Sequence, residues 1–271
     1  MRKDPMLCRK MKIEDLNDVI DVIDSHDDDD ADDARRDFEN NGINFQWVIL
    51  HQNKIIGTSG FRPILETDNS AYISWTYINK KHCKQGYGDE IFKFILDELN
   101  KVKVNKIFIK ISNYKDEKGN APYQAAIKLY EKHGFELEII SKDFYDEEED
   151  QLIYSKDLRL NLDQNVFKKE EKPTIRFENI FEIAETEGSY SFEWKVINKP
   201  FFQKRSFSAE DLQIGIRAVK ERNGRKIFIT FPSNLPLIHS PLQEAGFKYI
   251  GELKNYYELG INEMHFVHDL D

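Results

Sequence analysis

A strand that runs into a glycine turn opening a helix constrains this chain more than any other feature. The residues Trp75-Thr-Tyr-Ile-Asn-Lys-Lys-His-Cys-Lys-Gln-Gly-Tyr-Gly88 lead straight into an apolar-periodic segment over 90–99. Gly86 and Gly88 let the backbone turn tightly and approach a ligand closely, and the first helical turn leaves N–H groups without intrahelical acceptors. Such a helix start suits a pyrophosphate. A Gly-x-Gly pair alone is a weak signal. It gains weight from Lys106-Ile-Phe-Ile-Lys-Ile-Ser112, which reads as the next strand, and from Ala125-Ala-Ile-Lys-Leu-Tyr-Glu-Lys-His-Gly-Phe135, which reads as the next helix and its end.

Together these segments resemble the GNAT superfamily of acyl-CoA-dependent N-acetyltransferases. In that family the loop reads Gln/Arg-x-x-Gly-x-Gly/Ala, and the last helix reads Asn-x-x-Ala-x-x-Leu-Tyr-x-x-x-Gly-Phe. This chain supplies Cys83 to Gly88 for the first and Tyr123 to Phe135 for the second. Cys83 stands where Gln or Arg is usual, and Tyr123 where Asn is usual. The insertion 115–122 precedes the second departure, so the Asn function falls to Asn113 or Asn120, or is lost.

The resemblance implies acetyl-CoA as cosubstrate. Its pyrophosphate is expected at Cys83, Lys84, Gln85, Gly86, Tyr87, Gly88 and Asp89, with its arm along the backbone of Tyr77 and Ile78. Asn113 completes the expected cofactor contacts. Tyr130 occupies the family position whose hydroxyl protonates the leaving thiolate; the alternative is an aromatic that packs the helix on the sheet. Cys83 is read as a backbone contributor to the loop, the alternative being a thiol activated at a helix N-terminus. No general base is legible, because Tyr72 to Ile78 contains no Asp or Glu.

Composition narrows the partners. A formal net charge of −10 argues against a nucleic-acid backbone as the main partner. No segment approaches the roughly 18 apolar residues of a membrane span, so a soluble, cytoplasmic protein is expected. The two cysteines, Cys8 and Cys83, lack metal-ligand spacing, and no metal is expected.

The apolar pattern predicts strands over 6–11, 45–51, 54–62, 70–78, 107–111, 135–141 and 150–158, with helices over 13–23, from the glycine loop to 99, and over 125–133. The resemblance makes this an α/β (α+β) fold: a mixed, mostly antiparallel sheet flanked by helices. A second, shortened copy follows. Trp75-x-x-Ile78-Asn79-Lys80 recurs as Trp194-x-x-Ile197-Asn198-Lys199, Lys106-Ile-Phe-Ile as Lys226-Ile-Phe-Ile, and Gly134-Phe135 as Gly246-Phe247. In the register of that Gly-Phe pair, Phe144-Tyr145 matches Tyr256-Tyr257 and Asp157-Leu158 matches Asp269-Leu270. The expected domains are 1–160, a linker 161–173, and a degenerate copy over 174–271 standing as a pseudo-dimer partner. After Lys199 that copy reads Pro200-Phe-Phe-Gln-Lys-Arg-Ser-Phe-Ser208, without the glycines a pyrophosphate loop needs, so one cofactor site per chain is expected.

The acidic run from Asp24 to Asp33 has three readings: a solvated loop, a contact for a cationic acceptor, or a divalent-metal site lacking the glycine and final Glu of an EF-hand. The function expected is acetyl transfer to a primary amine of a small molecule or peptide. The alternative is a non-catalytic acyl-CoA-binding sensor, or a scaffold recruiting a partner through Phe201, Phe202 and Phe207.

Overall fold

The computed structural model describes residues 6–159, 174–197 and 208–270; Phe201, Phe202, Phe207, Asn198 and Lys199 lie outside them. In chain order the elements are β1 (Leu7–Lys10), α1 (Leu16–Asp24), α2 (Asp28–Asn41), β2 (Gln46–His51), β3 (Lys54–Ile64), β4 (Ser70–Ile78), α3 (Tyr87–Lys101), β5 (Lys106–Ser112), α4 (Gln124–Lys132), β6 (Glu136–Asp146) and β7 (Glu149–Asp157). A second series follows: β8 (Thr174–Glu182), β9 (Ser189–Ile197), α5 (Ala209–Lys220), β10 (Lys226–Pro232), α6 (His239–Glu244), β11 (Lys248–Glu258) and β12 (Ile261–Asp269). Among the described residues no helix is long and apolar enough to cross a membrane.

Up to residue 158 the strands and helices follow the apolar periodicity, with one addition. The acidic run is not a loop, because Asp28 to Asp33 occupy the first turns of α2 and Asp27 caps it, its side chain accepting from the Asp30 N–H at 3.1 Å. Carboxylates at a helix N-terminus are favoured by its unpaired N–H groups and dipole. The helix is held by Ala31, Ala34 and Phe38, which share a face and pack with Val19, Ile20, Ile23 and Val48.

Two sheets form, one of seven strands in the order β1-β2-β3-β4-β5-β7-β6 and one of five in the order β11-β12-β10-β9-β8. The smaller sheet repeats the order of strands β3 to β7. Each contains one parallel pair, Ser70 to Tyr72 of β4 against Lys106 to Phe108 of β5, and Ser189 to Ser191 of β9 against Lys226 to Phe228 of β10.

The repeats noted in the sequence recur as matching geometry. Gly134 and Gly246 both take left-handed φ, 78° and 88°. The next N–H reaches back to a helix carbonyl each time, Phe135 to Tyr130 and Phe247 to Leu242, at 3.1 and 2.9 Å. The Leu158 and Leu270 N–H groups donate to Asn105 and Arg225 at 2.8 Å each. The rings of Phe144 and Tyr145 cross edge to face at 5.0 Å, as do those of Tyr256 and Tyr257.

The chain divides into two compact units, Met1–Leu65 with Asn69–Ile109 and Lys156–Leu158, and Glu66–Asp68 with Lys110–Ser155 and Arg159–Asp271. Within the second unit the contacts are reciprocal. Asp68 N–H donates to the Tyr257 carbonyl at 2.5 Å, and Glu187 N–H to the Tyr145 carbonyl at 2.7 Å. Glu66-Thr-Asp-Asn-Ser70 and Glu185-Thr-Glu-Gly-Ser189 are themselves a repeat, so matching turns grip matching tyrosines. Ile139 and Gly251, one position in the two copies, face each other; a Cβ on Gly251 would lie 3.3 Å from the Ile139 Cγ1.

Candidate active site

Strand β4 is irregular where it matters. It pairs with β5 only through Tyr72 and then diverges from it. Against β3 its partners step from Tyr77–Thr58 to Ser74–Gly60, so Trp75 and Thr76 together oppose Ser59, a bulge. Trp75 has φ 39°, a conformation costing a bulky residue about 1–3 kcal/mol. Neighbours over-determine it. The Gln46 amide donates to the Trp75 carbonyl at 3.3 Å and to the Thr58 hydroxyl at 2.7 Å, and the Trp75 indole donates to Asp37 at 2.7 Å. Burial disfavours the Asp37 charge, but hydrogen bonds from Arg62, Asn41 and Trp75 outweigh it and hold the carboxyl below its usual range.

Gly60 leaves room for this brace. A Cβ there would sit 2.1 Å from the Gln46 Oε1 and 2.4 Å from the Phe45 carbonyl. Gly60→Ala is expected to destabilise the fold by about 1–3 kcal/mol, read as a lower thermal midpoint. An unchanged midpoint would mean that Gln46 yields without cost.

Beyond Ile78 the chain makes a short 3-10 turn whose start is capped by the Asn79 side chain, accepting from the Lys81 N–H at 3.1 Å. Lys84 has φ 60°, and Gly86, at the N-cap of the 15-residue α3, has φ 90°. The first bond of α3 runs from Glu90 N–H to the Gly86 carbonyl at 3.2 Å, so the N–H groups of its first turn have no intrahelical acceptor. Lys80, Lys81 and Lys84 are exposed around it. Helix dipole, backbone N–H groups and cations together suit a pyrophosphate.

The side chains of the predicted loop residues divide. Tyr87 is buried, its hydroxyl 3.2 Å from the His51 Nδ1. Asp89 pairs with Lys93 at 2.8 Å, and Gln85 donates weakly to the Lys81 carbonyl at 3.4 Å. The Cys83 thiol donates to the Ile78 carbonyl at 3.4 Å. Burial raises its pKa despite Lys84 and Lys80, so it stays a thiol, which favours the backbone reading.

The corner between α1 and α2 is fastened onto the end of β4. The His26 Nε2 donates to the Ile78 carbonyl at 2.7 Å, the Lys80 N–H donates to the Ser25 hydroxyl at 3.0 Å, and the Tyr77 hydroxyl donates to Asp30 at 2.5 Å. Sequence reading missed these partners. The carboxylates of Asp27, Asp28 and Asp29 converge within 4.8 Å, a crowding that follows from their place at the start of α2.

In the other unit, Tyr130 lies on α4, 6% exposed, and burial pushes its hydroxyl up to about 12. Asn113 is committed to Asp150, its amide donating at 2.9 Å and its carbonyl accepting the Asp150 N–H at 2.8 Å. Asn120 is likewise tied to Asp116 within the inserted loop. Tyr123 forms the N-cap of α4 without a side-chain cap bond.

The second parallel pair is built differently. Beyond Ser191, Trp194 of β9 donates its indole N–H to the Thr230 carbonyl of β10 at 2.8 Å and stacks on Phe231 at 4.6 Å. The indole bridges those two strands.

Residues 13–135 match the acetyltransferase (GNAT) family model. No curated protein matches the chain. Among solved structures, a protein described as a GNAT acetyltransferase from Desulfovibrio desulfuricans is 18% identical, covering 57% of this chain and 100% of its own with a TM-score of 0.50. The ribosomal-protein-S18-alanine N-acetyltransferase of Escherichia coli is 18% identical, covering 60% and 100% at 0.47. A Salmonella typhimurium protein solved with its cofactor acetyl-CoA is 16% identical, covering 58% and 96% at 0.46. At such identities only the fold is shared. The family match, on a mixed sheet whose parallel pair opens beside a glycine-capped helix, makes residues 13–135 a domain of the acetyltransferase (GNAT) family, an acyltransferase domain whose cosubstrate is acetyl-CoA.

Proposed function

We propose that the chain transfers an acetyl group from acetyl-CoA to a primary amine of a small molecule or peptide. The observation carrying this reading is the parting of β4 from β5 after three paired residues, directly ahead of the left-handed Gly86 at the start of α3. Residues 1–160 form the catalytic domain in this reading. Residues 174–271, without the glycines and with Trp194 between β9 and β10, are the worn copy, and the reciprocal contacts support its role as a built-in dimer partner.

Acetyl-CoA, when bound, supplies the thioester. The Gly86 loop and Lys80, Lys81 and Lys84 hold its phosphates, and the backbone of Tyr77 and Ile78 orients its arm. Tyr130 keeps its proton through the neutral range and gives it to the departing sulfur. On the acceptor side the carboxylate of Asp30, acting through the Tyr77 hydroxyl, takes a proton from the incoming ammonium, and the carboxylates of α2 attract it.

Amine-dependent release of thiol from acetyl-CoA tests the reading. Binding of acetyl-CoA without release by any amine would favour the non-catalytic sensor. Asp30→Asn is expected to lower kcat/KM by about 10-fold to 100-fold and to change the shape of the pH–rate profile. A lower rate with an unchanged profile would make Asp30 only a tether between α2 and β4.

A further inference from the structure

Two histidines that acetyl transfer leaves unused meet beside the glycine turn, within one compact unit of the chain. His51 closes β2, directly before the two-residue turn at Gln52 and Asn53, whose left-handed φ of 49° and 59° fold β2 tightly onto β3 with His51 opposite Lys54. His82 lies in the 3-10 turn after β4, its N–H donating to the Asn79 carbonyl at 2.7 Å. Both side chains are half-buried. Their ring centroids are 6.0 Å apart and the ring planes are tilted by 56°.

That separation suits a shared ion. Two imidazole nitrogens, each about 2.0–2.1 Å from one metal, set their ring centroids about 5–6.5 Å apart. Packing of two rings gives a similar distance, so the hydrogen bonding decides between the two. The His51 Nδ1 is 3.2 Å from the hydroxyl of Tyr87, which is buried at the start of α3 with its ring edge-on to His82 at 6.4 Å. A metal-bound imidazole characteristically gives its second N–H to such a partner, which fixes the tautomer and aims the other nitrogen. With Nδ1–H donated to Tyr87, the His51 Nε2 keeps its lone pair for a ligand. Among the described residues no side-chain hydrogen bond engages that nitrogen or either ring nitrogen of His82.

The surrounding charges select the ion. Lys54 faces His51 across the hairpin, and Lys80 and Lys81 precede His82, all three exposed. A hard ion held by charge, such as Mg2+, gains little beside them, whereas Zn2+ forms directional bonds to neutral imidazole.

We propose that His51 and His82 bind Zn2+ or a transition-metal dication of like ligand preference, through the His51 Nε2 and a ring nitrogen of His82, with water completing the shell and Tyr87 positioning His51. The site does not rest on acetyl transfer, and its test uses no acetyl-CoA.

Calorimetry with Zn2+ on the full chain, free of any polyhistidine tag and near neutral pH, tests it, since a metal takes the neutral ring. Zn2+ is expected to bind, and His82→Gln is expected to weaken it by about 10-fold or more, at least the cost of losing an outer-shell partner. NMR of the unaltered chain locates the ion even if that variant misfolds. The ring resonances of His51 and His82 are expected to move together with Zn2+ and to stay with Mg2+, which prefers oxygen ligands. No Zn2+ binding at about 1 mM, unchanged affinity in a folded His82→Gln variant, or shifts confined to Asp27, Asp28 and Asp29 would each overturn the proposal.

Discussion

Gly86→Val is expected to abolish acetyl-CoA binding and, with it, acetyl transfer. Two effects act together. At φ 90° a β-branched residue is strained, so the loop ahead of α3 must rearrange. The added side chain also stands where a phosphate must approach the backbone. Loss of even two charge-assisted backbone hydrogen bonds, at about 1.5–3 kcal/mol each, weakens binding about 100-fold or more. Gly86 is exposed and caps a helix held by Ile91, Phe92, Ile95 and Leu99, so the fold should survive. Calorimetry should give one site per chain for the unaltered protein and no measurable binding for the variant. Gly86→Asn, which tolerates the left-handed region better, is expected to fall between them. Wild-type affinity in the valine variant would remove the loop from the cofactor site.

Tyr130→Phe is expected to slow acetyl transfer by about 100-fold to 10,000-fold while leaving acetyl-CoA affinity nearly unchanged, the range for a positioned acid. Burial raises the hydroxyl to about 12, so the phenol keeps its proton at every pH where the enzyme works, and no limb of the pH–rate profile below that value belongs to it. Single-turnover measurements at saturating acetyl-CoA separate chemistry from release. A variant turning over at the wild-type rate when chemistry limits would make Tyr130 a packing residue, beside Phe135 at 6.3 Å.

Up to residue 158 the strands and three of the four helices were legible because their apolar residues alternate or recur at helical spacing, as in Ile91, Phe92, Ile95 and Leu99 of α3. Helix α2 was not, since Ala31, Ala34 and Phe38 are a thin apolar signal among aspartates of poor helix propensity. The repeat Glu66-Thr-Asp-Asn-Ser70 and Glu185-Thr-Glu-Gly-Ser189 was available in the sequence and went unread beside the stronger Gly-Phe register.

Local chemistry is what the sequence by itself determined: the glycine turn after β4, the helix ends at Gly134 and Gly246, and the internal repeat. Each depends on residues a few positions apart, whose backbone preferences act before any distant contact forms. The tertiary structure alone decided which distant groups meet. Tyr77 and Asp30 are 47 residues apart, and nothing in either segment announces the other. Trp75 and Trp194 are equivalent in the repeat, yet one indole bonds Asp37 and braces a bulge while the other crosses to the Thr230 carbonyl. Their different roles come from what the packing brought opposite them: a half-buried carboxylate for Trp75, a backbone carbonyl of the neighbouring strand for Trp194.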